Sequence, residues 1–108
     1  MRGFITLIIT SISLLTLSQV TVIHFNSDWN SENSYNISSL KDCAIDSVVI
    51  CNSPDMQEEH NIKYVPTVIV FDSGLEAARF EGNLLMKLTV EIKNIQKAID
   101  KIYLSKFE

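Results

Sequence analysis

The sequence predicts an α/β domain, a mixed β-sheet flanked by helices, and three observations carry that prediction. Val20–Phe25 and Val68–Phe71 are near-continuous apolar runs, the pattern of strands buried on both faces. Ser73-Gly74 separates the second run from the alternating segment Glu76–Glu81, which reads as a hairpin. Leu88, Ile92, Ile95, Ile99 and Ile102 recur at spacings of four and three, which is the apolar stripe of an amphipathic helix.

At 108 residues the chain is one domain, 1–108, with a core of modest size. Apolar residues make up 46% and charged residues 20%, as in an ordinary globular protein. The formal net charge of −4 argues against a nucleic-acid surface, which needs a clustered basic patch. The lysines of the C-terminal segment (Lys87, Lys93, Lys97, Lys101 and Lys106) are interleaved with acids and read as a solvated helix face.

Taken in order, Val20–Phe25 is a central strand. Ser27–Leu40 is polar and asparagine-rich, with apolar residues at Trp29, Tyr35, Ile37 and Leu40; a short helix is expected over Glu32–Lys41. Asp46–Asn52 reads as the next strand. Ser53 caps a helix that has Pro54 at its first position and Asp55 facing its dipole, running to about His60. Thr67–Asp72 and Glu76–Glu81 form the hairpin, and Gly82-Asn83 ends it before the last helix.

The two cysteines, Cys43 and Cys51, match neither a redox Cys-x-x-Cys nor a zinc knuckle. Cys51 ends an apolar run and is expected to be a buried small hydrophobe; Cys43 follows the expected helix and is expected to be partly exposed. A disulfide between them is an open alternative. His60, flanked by Glu58 and Glu59, reads as solvated surface, and no metal site is expected. No Ser/His/Asp constellation is visible.

The stretch Trp29-Asn30-Ser31-Glu32-Asn33 after the first central strand, and Ile62-Lys-Tyr-Val-Pro66-Thr67 leading into a strand, Ser73-Gly74, a strand and Gly82, together resemble the thioredoxin family. The resemblance covers nearly the whole chain and implies a thioredoxin-like fold of order βαβαβαββα with Val65-Pro66 as a cis-proline loop. In that family the tryptophan is followed by Cys-x-x-Cys; here Asn30 and Asn33 occupy both cysteine positions. An amide cannot attack a disulfide, so the resemblance implies a domain without catalytic residues and without cofactors. His24 matches the position where the family holds a buried acid behind the cysteines, and a neutral core histidine with one backbone hydrogen bond is expected there. In the family the patch formed by Trp29, Val65 and Pro66 with the Gly82 loop docks extended peptides, and asparagine amides at Asn30 and Asn33 could bond a partner's backbone.

Two readings of the N-terminus follow. Arg2, the apolar run Phe4–Leu17 and Thr16-Leu17-Ser18 fit a signal peptide cleaved after Ser18, which would make the protein secreted and Asn36-Ile37-Ser38 a glycosylation sequon. Alternatively Phe4–Ile9 is the family's first strand and Ser11–Leu17 its first helix; losing eighteen residues would leave the central strands without an edge neighbour. The expected function is a redox-inactive protein-binding module, or a structural or accessory subunit of a larger assembly, cytoplasmic or viral, with no membrane span and no direct nucleic-acid contact. The alternative is a divergent thiol-disulfide oxidoreductase using Cys43 or Cys51.

Overall fold

A computed structural model describes residues 19–107. The strand and helix expected at 4–9 and 11–17 lie outside the described residues. Strand β1 (Val20–Asn26) is followed by a 3-10 segment (Asp28–Asn33), strand β2 (Ala44–Val49), a 3-10 turn (Ile50–Asn52), helix α1 (Pro54–Glu59), strands β3 (Thr67–Asp72) and β4 (Leu75–Glu81), and helix α2 (Ile92–Ser105). The sheet order is β2-β1-β3-β4. β1 pairs parallel with β2 and antiparallel with β3, and β3 pairs antiparallel with β4. This is the mixed α/β sheet expected from the sequence.

Strand alternation sends the central side chains to two cores. Val20 and Val22 of β1 and Val68 and Val70 of β3 face α2, where Ile95 and Ile99 are fully buried against them with Ile37 and Leu40. Phe25, Ile69 and Phe71 face the other way and pack with Ile50, Ile62 and Val65, with Met56 of α1 at the edge. The apolar continuity of β1 and β3 is thus the signature of strands covered on both faces. The stripe of α2 behaves as its period predicts, although the helix begins at Ile92 and Leu88 lies in the extended approach to it.

The helix expected over Glu32–Lys41 does not form. Side chains from outside the segment take up its backbone groups instead. The Tyr35 N–H donates to His24 Nε2 at 3.1 Å, and the Lys41 N–H donates to Gln96 Oε1 at 2.8 Å while Gln96 Nε2 donates to the Lys41 carbonyl at 3.1 Å. Within it, Asn36 Oδ1 accepts from the Ser38 N–H and hydroxyl. These side-chain bonds compete with a helical ladder and win in a stretch rich in Asn and Ser. The loop still delivers Ile37 and Leu40 to the core, so the apolar pattern survives without the helix.

Four further expectations are corrected. The strand expected at Asp46–Asn52 lies earlier, at Ala44–Val49, and Ile50–Asn52 turns away from the sheet. Cys51 therefore leaves the apolar run and is exposed rather than buried. His60 is not a solvated surface residue: its ring packs between Phe25 and Phe71, at centroid distances of 5.5 and 5.2 Å. Ser53 sits at the N-cap of α1 without a side-chain capping bond; its carbonyl accepts from the Met56 and Gln57 N–H groups.

Candidate functional site

At the end of β1 the chain leaves the sheet through Asn26 and Ser27 and turns at once into the 3-10 segment Asp28–Asn33. The Asn30 N–H closes this turn on the Ser27 carbonyl at 3.0 Å. The tight turn throws the Trp29 side chain outward, 65% exposed, and draws Asn30 inward, 5% exposed. Asn30 Nδ2 donates to Asn26 Oδ1 at 3.0 Å and to the Met86 carbonyl at 3.1 Å, while Asn30 Oδ1 accepts from Asn33 Nδ2 at 2.9 Å. Asn26 Nδ2 returns a bond to the Asn30 carbonyl at 3.0 Å and reaches Ser34 Oγ at 3.2 Å. A buried amide must have its bonds made, and this one has. The three asparagines form a bracket that joins β1, the Trp29 turn and the loop after β4.

That loop begins at Gly82, whose N–H donates to the Pro66 carbonyl at 2.8 Å. A Cβ on Gly82 would stand 2.6 Å from the Val65 carbonyl oxygen, so only glycine allows this approach. Asn83 then folds the loop onto itself: its Oδ1 accepts from the Leu85 and Lys87 N–H groups, and its N–H donates to the Lys87 carbonyl. Met86 sits at positive φ, 63°. The result is a tight knob that holds Leu84, 91% exposed, and Leu85 away from the core.

Opposite, Tyr64–Thr67 forms the second limb, with Val65-Pro66 cis and Thr67 Oγ1 donating to the Tyr64 carbonyl at 2.6 Å. Arg79 of β4 pins the chain just before it, donating from Nη2 to the His60 carbonyl at 2.6 Å and from Nη1 to the Asn61 carbonyl at 3.2 Å. Between the limbs lies a groove of about 440 Å³. Trp29, Ile50, Tyr64, Val65, Leu84 and Met86 supply its apolar walls; Cys51 and Lys63 also line it. The Val65 N–H and C=O make no hydrogen bond among the described residues.

Of the residues singled out in the sequence, Trp29 and Val65 meet in the groove, Pro66 and Gly82 lie directly behind Val65, and Asn30 and Asn33 sit beneath the Trp29 turn with their amides bonded to each other. Leu84, Met86 and Cys51 were not singled out as groove residues. The apolar triplet Leu84-Leu85-Met86 straight after Gly82-Asn83, in a segment too short to be an element, was the available signal.

His24 is 6% exposed and accepts the Tyr35 N–H through Nε2; burial lowers its pKa from 6.5, so it is held as the neutral acceptor. The two thiols are free and differ in setting. Cys43 packs against the α2-side core, where burial, and after it the Asp42 charge, push its pKa up. No cluster of three or more metal-ligating side chains exists among the described residues. None of their helices is long and apolar enough to cross a membrane.

No family model matches the chain, and no curated protein matches it. Solved structures do. Thioredoxin-2 of a malaria parasite, described as a component of the protein secretion machinery, superposes with a TM-score of 0.62 at 18% identity, over 78% of this chain and 84% of that one. Thioredoxin 1 from Thermosipho africanus gives 0.58 at 18%, over 82% and 99%. Fasciola hepatica thioredoxin gives 0.59 at 14%, over 86% and 89%. At these identities the likeness establishes a thioredoxin-like fold.

Proposed function

We propose that this thioredoxin-fold domain is a non-catalytic protein-binding module, working alone or as a subunit of a larger assembly, that docks an extended segment of a partner protein in the groove between Trp29 and Val65. The observation that carries this reading is the unpaired peptide group of Val65 at the floor of an apolar groove. A backbone donor and acceptor on a mostly buried residue want partners, and an added strand supplies both. Trp29 and Leu84 stand exposed beside it, a costly arrangement for a surface without an occupant. The positions that carry cysteines in the family support the non-catalytic part: Asn30 has no nucleophile and spends its amide on the bracket. In this reading Asn30 and Asn33 set the shape of the groove from behind, and Trp29, Val65 and the Leu84–Met86 knob touch the partner.

The test is a panel of immobilised random peptides probed with the domain and with Trp29→Ala. Binding should be confined to extended sequences. Loss of an aromatic anchor should weaken it by roughly thirtyfold, about 2 kcal/mol. The melting temperature should hardly move, because Trp29 is mostly in water. Equal binding by both proteins would remove Trp29 from the interface.

One observation favours a second reading. Cys51 is exposed and lines the same groove, whereas Cys43 packs elsewhere. In that reading the Cys51 thiolate attacks a disulfide of the docked segment; one S–S bond breaks, a mixed disulfide forms, and the partner's other sulfur leaves as a thiolate. Insulin-disulfide reduction with glutathione supplied as the thiol that resolves the mixed disulfide and returns Cys51 to its thiolate, above the glutathione background and lost in Cys51→Ser, would establish it; no such turnover is expected from the first reading.

A further inference from the structure

Resting on the docking reading, we infer that the occupant is an extended peptide with bulky apolar side chains flanking the residue paired to Val65 and a carboxylate within about two residues of it, beside Lys63. Three observations converge on this chemistry. The groove is lined by apolar side chains, Trp29, Ile50, Tyr64, Leu84 and Met86. Successive side chains of a paired strand leave to opposite sides, so both neighbours of the paired position face the same way; turned into this apolar lining, both are favoured as apolar residues.

Among the described residues Lys63 is the one charged side chain lining the groove, and no acid lines it. Lys63 takes part in none of the described ion pairs, which involve His60, Arg79, Lys93 and Lys106. It lines the same groove two residues before Val65, so an occupant paired at Val65 passes close to the ammonium group. A carboxylate there gains a partner without displacing one. A lysine there would meet a like charge against an apolar wall. The chain's net charge of −4 opposes an acidic ligand at long range, but that field is screened beyond roughly 8 Å at physiological salt, so the local lysine decides.

Trp29 is the chain's one tryptophan and is exposed at the groove rim, so its emission reports docking directly. The probes are three blocked peptides, acetyl-Ser-Leu-Thr-Val-Glu-Ser-amide and its Gln and Lys counterparts, titrated into the full chain, with calorimetry as a second readout. The glutamate peptide should bind roughly twofold to fivefold tighter than the glutamine one, the lysine peptide should bind weakest, and the gap should narrow in high salt. Lys63→Glu should reverse the order and Lys63→Gln should flatten it, with unchanged melting curves because Lys63 is exposed. Equal affinity of all three peptides, unaffected by Lys63→Glu, would overturn the carboxylate preference and leave the docking groove standing. No binding of any peptide by either readout would sink the groove as a peptide site, and this inference with it.

Discussion

Replacing Asn30 by alanine should cost the fold about 2–5 kcal/mol, and the groove more than its share. The change removes three side-chain hydrogen bonds, to Asn26 Oδ1, to the Met86 carbonyl and from Asn33 Nδ2. They are not equivalent. Asn26 is 5% exposed, so its stranded Oδ1 cannot be reached by water without opening the turn; that orphan costs roughly 1–3 kcal/mol. Met86 and Asn33 are more accessible and can turn to solvent, losing about 0.5–1 kcal/mol each. For a domain of this size each kilocalorie moves the melting temperature by about 4–8 °C, so a drop of at least about 8 °C is expected. Urea titration followed by far-ultraviolet circular dichroism measures the cost, and Trp29 emission on the same samples reports the turn. Proton exchange at the Leu84–Lys87 amides should quicken even under native conditions, because the bond from Asn30 is what ties the knob to β1. A variant within about 0.5 kcal/mol of the parent, with unchanged exchange in the knob, would refute the bracket as a structural element.

Two other outcomes follow from the packing and the titration of the core. Ile95→Ala and Ile99→Ala should each destabilise by about 2–5 kcal/mol, since both side chains are fully buried against Val22 and Val68, while Lys97→Ala on the exposed face should stay within about 0.5 kcal/mol; urea midpoints decide, and equal effects would mean α2 packs differently. Because burial lowers the pKa of His24 below 6.5, the unfolded chain takes up its proton first on acidification; the stability this residue contributes is complete above 6.5 and drains as pH falls below that value toward the lowered folded-state pKa. The urea midpoint should therefore drop between pH about 7.5 and about 5.5, and His24→Gln should show less of that drop.

The patterns that depend on local periodicity were readable in the chain itself. Continuous apolar runs at Val20–Phe25 and Val68–Phe71 could be satisfied only by strands covered on both sides, Ser73-Gly74 left the chain no other way to turn, and isoleucines at helical spacing had to face a sheet. Trp29 at the end of β1, and Val65-Pro66 before β3, could be placed at one end of the molecule because strand order determines which loops share an edge. What tertiary structure decided was where polar groups found partners. Glu32–Lys41 had the apolar spacing of a helix, but His24 of β1 and Gln96, far away in sequence, bond its backbone and hold it as a loop. Cys51 looked like the last residue of a strand until Ile50 turned into the core under β3 and carried the thiol to the groove. His60 had acidic neighbours in sequence and aromatic ones in space. Asn30 and Asn33 could be recognised as lacking thiols, yet their use as a bracket with nearby Asn26 required the Met86 carbonyl, which sequence separation hides. Hydrophobic burial follows period and can be read residue by residue; hydrogen-bond satisfaction is settled between segments, and only the folded chain brings those segments together.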